Sequence, residues 1–99
     1  MRKWIWESVR QLYVSACLLD WLARKHPNRP IYINMSSLME RVNPRSPFAW
    51  LWAKSVFVNV LRLRISKKKR IYKWIPTEWR KKRLKELREV SKRLLLLLS

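Results

Sequence analysis

No glycine occurs anywhere in the 99 residues, and no other single feature narrows the possible folds so far. Glycine takes φ > 0 freely and lets a backbone approach a ligand closely. A phosphate-cradling P-loop, a G-x-G-x-x-G dinucleotide loop and a nucleophile elbow all depend on it, so all three are excluded. The remaining catalytic parts are few: one His, one Cys and six carboxylates. Cys17 falls mid-helix among apolar neighbours and reads as inert core, and a lone cysteine makes no internal disulfide. His26 stands beside Pro27 at a helix end and reads as a dipole cap, and no Cys/His spacing suggests zinc. The expectation is therefore a non-enzyme with no catalytic residue, metal, cofactor or small-molecule substrate.

Five prolines, at 27, 30, 44, 47 and 76, punctuate the chain. Proline lacks a backbone N–H and fixes φ, so it starts and stops elements. Before the first of them, Ile5, Val9, Leu12, Ala16, Leu19 and Ala23 recur every three or four residues, with Ser8, Gln11 and Ser15 on another face. That spacing predicts a helix over 3–25, closed by Arg24, Lys25 and His26 at its negative end. Ile31-Tyr32-Ile33 predicts a short strand. Asn34 offers an N-cap for a helix over 35–42, and Ser37-x-x-Glu40 offers a capping box one turn later. Ser46 as N-cap and Pro47 at the first position predict a helix over 47–60 with Ala49, Trp50, Ala53, Val56, Phe57 and Val60 inward. The period then becomes two. Leu61, Leu63 and Ile65 alternate with Arg62, Arg64 and Ser66, and Ile71, Lys73 and Ile75 with Arg70, Tyr72 and Trp74, which predicts a hairpin over 61–75 around Lys67-Lys68-Lys69. Tight two-residue turns favour Asn-Gly or Asp-Gly, so a longer loop or a type I turn is expected at its tip. Thr77 caps a last helix, 77–99, with an apolar seam of Leu84, Leu87, Val90 or Ser91, Leu94 and Leu98. Lys82 with Glu86, and Glu89 with Arg93, stand four apart for local pairing.

Charge is distributed very unevenly. The net +18 divides into +4 over 1–30, +2 over 31–60 and +12 over 61–99. Self-repulsion of that size destabilises a compact state unless a polyanion or salt screens it. The body has room for one domain, able to bury roughly two thirds of its unfolded surface. The longest uninterrupted apolar run, Leu94–Leu98, is far short of the ~20 residues a membrane span needs, and no signal-peptide core follows Met1-Arg2-Lys3. An intracellular, cytoplasmic or nucleoid-associated, location is the expectation.

The fold class expected is mainly α with a small β-hairpin (α+β). The order helix, short strand, short helix, turn, helix, hairpin resembles the winged helix-turn-helix superfamily of DNA-binding domains over roughly 5–90. The resemblance implies a winged-helix domain over 1–76, with 35–42 as first helix of the helix-turn-helix, 47–60 as recognition helix and 61–75 as wing. With the added C-terminal helix over 77–99, the chain also resembles basic archaeal chromatin proteins and small dimeric transcription regulators that dimerise through such a helix. Few Asn and Gln beside abundant Arg and Lys fit a thermophilic source.

Duplex DNA is the partner this implies, and RNA is a second possibility. Arg45, Ser46, Lys54, Ser55, Asn59 and Arg62 are the expected groove-facing set, since Asn pairs with adenine and Arg with guanine. Leu51 and Trp52 border that set and suit a partner contact or a shape-reading mode as well. Arg62, Arg64, Lys67, Lys68, Lys69, Arg70 and Lys73 put seven bases into twelve residues with no acid, apt for gripping phosphates. Arg80 and Lys81 extend this basic surface. Trp21 and Trp50 read as core, while Tyr72 and Trp74 either stack on bases or cover the core. The seam of Leu84, Leu87, Val90, Leu94 and Leu98 reads as a homodimer interface; packing back on its own domain and a disordered end are the alternatives. Rival functions are an RNA-binding or ribosome-associated protein, a basic amphipathic membrane-surface protein, and an assembly adaptor in a polymerase or virion.

Overall fold

A computed structural model describes residues 2–66 and 70–99. In chain order its elements are α1 (Arg2–Lys25), β1 (Ile31–Asn34), α2 (Met35–Val42), α3 (Pro47–Leu61), β2 (Arg64–Ile65), β3 (Ile71–Trp74) and α4 (Glu78–Leu98). The molecule is mainly helical, with one three-stranded antiparallel sheet in the order β1-β3-β2. The tip at Lys67, Lys68 and Lys69, and the turn expected there, lie outside the described residues.

Capping explains most helix boundaries. The Asn34 side chain accepts from the Ser36 and Ser37 amides and starts α2, while Ser37 and Glu40 lie inside that helix. The capping box expected there gives way to the asparagine one turn earlier. Ser46 Oγ accepts from the Ala49 amide with Pro47 at the first position of α3, and Thr77 Oγ1 accepts from the Arg80 amide to start α4.

In place of glycine, three residues among those described take left-handed backbone: Asn28 (φ 62°), Asn43 (φ 52°) and Arg62 (φ 56°). Asn43 closes α2 by donating its amide to Met39 O. Arg62 closes α3, and the Leu63 amide reaches Val58 O at 3.0 Å, the six-to-one bond of a Schellman ending. Leu61 therefore ends α3 rather than opening the wing, and β2 is reduced to two residues.

One core joins every element except β2, whose two residues are exposed. Leu12, Ala16 and Leu19 of α1, Ile31 and Ile33 of β1, Leu38 and Val42 of α2, and Trp50, Ala53, Phe57 and Leu61 of α3 meet Trp74, Leu84 and Leu87. Helix α1 packs against both α3 and α4. That double contact buries Ser8, Gln11 and Ser15, which periodicity had put on a polar face. Ser8 Oγ donates to Trp4 O at 2.9 Å, and Gln11 Nε2 to Glu7 Oε1 at 3.0 Å.

Three aromatic assignments are settled by packing. Trp74 is fully buried and donates Nε1–H to Leu61 O at 3.1 Å, and Tyr72 packs at the core edge beside it, so both cover the core. Trp21 departs from expectation: it is 54% exposed, with Lys25 Nζ 4.6 Å from its ring centroid. In the hairpin, Ile75 is exposed on the face opposite Tyr72 and Trp74, while Ile65, paired with Tyr72, is exposed at the sheet's edge.

The leucine seam splits. Leu84 and Leu87 are buried in the chain's own core, and Ser91 Oγ bonds Leu87 O, so these leucines do not offer the dimer surface expected of them. Val90 and Leu94 remain exposed and Leu98 half-buried. Arg88 donates to Asp20 Oδ2 at 2.8 Å and anchors α4 to α1. Glu86 meets Arg83 rather than Lys82. No helix among the described residues is long and apolar enough to cross a membrane.

Candidate nucleic-acid interface

Glu40 and Glu78 bound a stretch, residues 41–77, that contains no carboxylate and ten Lys or Arg. Its described residues form the end of α2, the α2–α3 turn, α3, β2 and β3. These segments contribute no carboxylate of their own; the acid nearest the turn is Glu7 of α1, which meets the Arg45 amide.

The turn before α3 is fixed from α1. Glu7 is buried and accepts from Arg10 Nε (3.0 Å), Gln11 Nε2 (3.0 Å) and, more loosely, the Arg45 amide (3.5 Å). Arg10 Nη2 in turn donates to Val42 O and Asn43 O, at 3.2 and 3.3 Å. The hydrogen bond from Arg10 holds the Glu7 carboxyl at about 2, against desolvation and with help from Gln11 and Arg45. The network ties the C-terminus of α2 and the start of α3 to one point on α1.

On α3, Lys54, Ser55 and Asn59 share an outward face. Asn59 Nδ2 donates to Ser55 Oγ at 3.4 Å, and Lys54 Nζ lies 6.0 Å from the Tyr72 ring centroid. With Leu51, Val58 and Tyr72 these residues line a cleft of about 280 Å³ between α3 and β3. Ser46 is committed to its cap and Arg45 is exposed at the turn, so both stand at the N-terminal end of the helix. The outer edge of α3 also bares Phe48, Leu51 and Trp52.

The remaining expected bases divide differently. Arg62, Arg64, Lys73 and Arg80 converge around Ile75. Arg70 is exposed near the hairpin tip, and Lys81 pairs with Glu78 at 3.2 Å. Lys67, Lys68 and Lys69 fall outside the described residues. Because side chains alternate across a strand, Tyr72 and Lys73 project to opposite faces of the sheet. The α3 cleft and the Arg62 cluster are therefore on opposite sides of β3.

Sequence reasoning missed the aromatic partners of these cations. Two guanidiniums lie over the Trp79 ring, Arg62 at 4.6 Å and Arg83 at 5.5 Å from its centroid, and Lys73 Nζ is 5.9 Å from the Tyr32 ring. Arg62 and Trp79 are too far apart in sequence for any local periodicity to couple them. Comparison with known proteins finds no matching family, no curated relative and no matching solved structure.

Proposed function

We propose that the chain is a winged-helix protein that binds duplex DNA without catalysing a reaction, α3 entering the major groove and the β2–β3 hairpin acting as the wing. The observation that carries this is the carboxylate-free stretch 41–77 folded into a single helix-and-hairpin unit. A phosphate backbone favours a surface with one sign of charge, and the energy gained is largely counterion release. The α-β-α-α-β-β order with β1-β3-β2 pairing supports the winged-helix part of the reading. Asn59, Ser55 and Lys54 supply the base-edge chemistry, and Arg45, Arg70 and Lys67–Lys69 the phosphate contacts. A homodimer contact in this reading falls on exposed Val90 and Leu94 and half-buried Leu98.

The test is a gel-shift salt series on duplex DNA and on RNA of the same sequence, with wild type and with Lys67, Lys68, Lys69 and Arg70 changed to Ala. Expected are tighter binding to duplex DNA than to RNA, and a log–log salt slope of about −4.5 for five phosphate contacts, its magnitude dropping by roughly 3.6 in the variant. Equal or better binding to RNA, or an unchanged slope in the variant, overturns the reading.

A further inference from the structure

Four cations meet on the outer face of the sheet with no acid among them. Arg62 comes from the left-handed end of α3, Arg64 from β2, Lys73 from β3 and Arg80 from the first turn of α4, all lining one recess around Ile75. Arg64 and Lys73 are directly opposite each other in the antiparallel register. Like charges at opposed positions weaken a sheet. None of the ion pairs among the described residues involves any of the four; Glu78, the nearest acid in sequence, is taken by Lys81.

Three of the cations are also held in place. Arg62 lies against the Trp79 ring, which Arg83 flanks as well. Lys73 lies near the Tyr32 ring. Arg80 donates Nη1–H to Ile75 O at 3.4 Å, while its buried Nε–H has no partner. A solvated charged face would spread its side chains apart; here aromatic faces and a backbone carbonyl hold Arg62, Lys73 and Arg80, and the sheet register sets Arg64 against Lys73. Guanidiniums offer paired N–H donors that match phosphate oxygens, and Lys73 adds a point charge.

We propose that Arg62, Arg64, Lys73 and Arg80 form a phosphate-binding site on the outer face of the sheet, separated by β3 from the α3 cleft. Its ligand is a phosphate group, carried by a nucleic-acid strand or free in solution. A strand lying along α3 meets the other side of β3, so a nucleic-acid ligand here belongs to a second segment, and the chain would hold two segments at once.

Thermal unfolding in inorganic phosphate and in chloride at matched ionic strength tests the site, using wild type, Arg64→Gln, Lys73→Gln and, as a control in the α3 cleft, Lys54→Gln. Phosphate should raise the wild-type and Lys54→Gln midpoints by about 7 °C at ten times the dissociation constant. Arg64→Gln and Lys73→Gln should lose that rise, and in chloride should melt no lower than wild type because the like-charge pair is gone. A rise in both variants equal to wild type, or no rise over chloride in wild type, overturns the proposal. Two fluorescently labelled duplexes identify the source: energy transfer between them that each variant abolishes assigns the phosphate to nucleic acid, and loss of the phosphate effect alone assigns it to a free ligand. Failure of the α3 reading would appear separately, as DNA binding that Lys54→Gln leaves untouched.

Discussion

Replacing Glu7 by glutamine removes one negative charge from the point where α1 holds the α2–α3 turn. The carboxylate accepts two bonds from Arg10 and one each from Gln11 and the Arg45 amide. A carboxyl titrating at about 2 when folded, against its ordinary 4.5, contributes about 3 kcal/mol to folding at neutral pH. Glutamine keeps an acceptor for some of these donors, so the expected loss at pH 7 is about 2 kcal/mol, or about 10 °C in melting midpoint for a chain of this size. The folded value is depressed, so the contribution is complete above pH 4.5 and disappears as the pH falls from there through about 2. Urea unfolding of both proteins from pH 7 to pH 2 should therefore show two curves that converge on acidification. A gap that stays constant with pH would refute the electrostatic account, and a gap at pH 7 smaller than about 0.5 kcal/mol would refute the tether itself. Because the tether sets the start of α3, the same variant should bind duplex DNA more weakly at pH 7 while keeping its helical circular dichroism.

Trp74→Phe should cost about 2–3 kcal/mol in chemical denaturation, since it empties part of a fully buried site and orphans the Leu61 carbonyl. Asn43→Ala should cost about 1 kcal/mol and Asn43→Gly nothing, because alanine resists the left-handed backbone that both glycine and asparagine accept. Leu94→Lys should leave the melting midpoint of the dilute protein within a few degrees of wild type yet abolish any concentration-dependent dimer seen by analytical ultracentrifugation, since that side chain is already exposed in the monomer.

Helix positions were readable because caps and stops are local. Asn34, Ser46-Pro47 and Thr77 each act within three or four residues, and α2 runs over the predicted 35–42. What sequence could not resolve was where a second layer covers a surface. Ser8, Gln11 and Ser15 read as polar until α1 is seen to pack against both α3 and α4, and Trp21 reads as core until no element covers it. The hairpin shows the same limit: alternation predicted strands, but which side turned inward depended on Trp74 finding the Leu61 carbonyl. The basic residues proposed for phosphate contact were legible as a set through charge alone. Their division into an α3 cleft and an outer cluster was not, because it depends on the β1-β3-β2 pairing and on Trp79 stacking across sequence-distant segments.

Left-handed turns at Asn28, Asn43 and Arg62, made without glycine, also act on the state the folded chain is measured against. Every residue of the unfolded chain carries a Cβ, and five are prolines, so its backbone explores fewer conformations than an average sequence does. Folding then surrenders less entropy per residue. Since the melting temperature is the ratio of unfolding enthalpy to unfolding entropy, a core of ordinary enthalpy melts higher in this background. Stability also falls less steeply with temperature near the midpoint. Heat resistance in this chain can therefore arise from what the denatured ensemble is forbidden to do, with no additional contact in the fold.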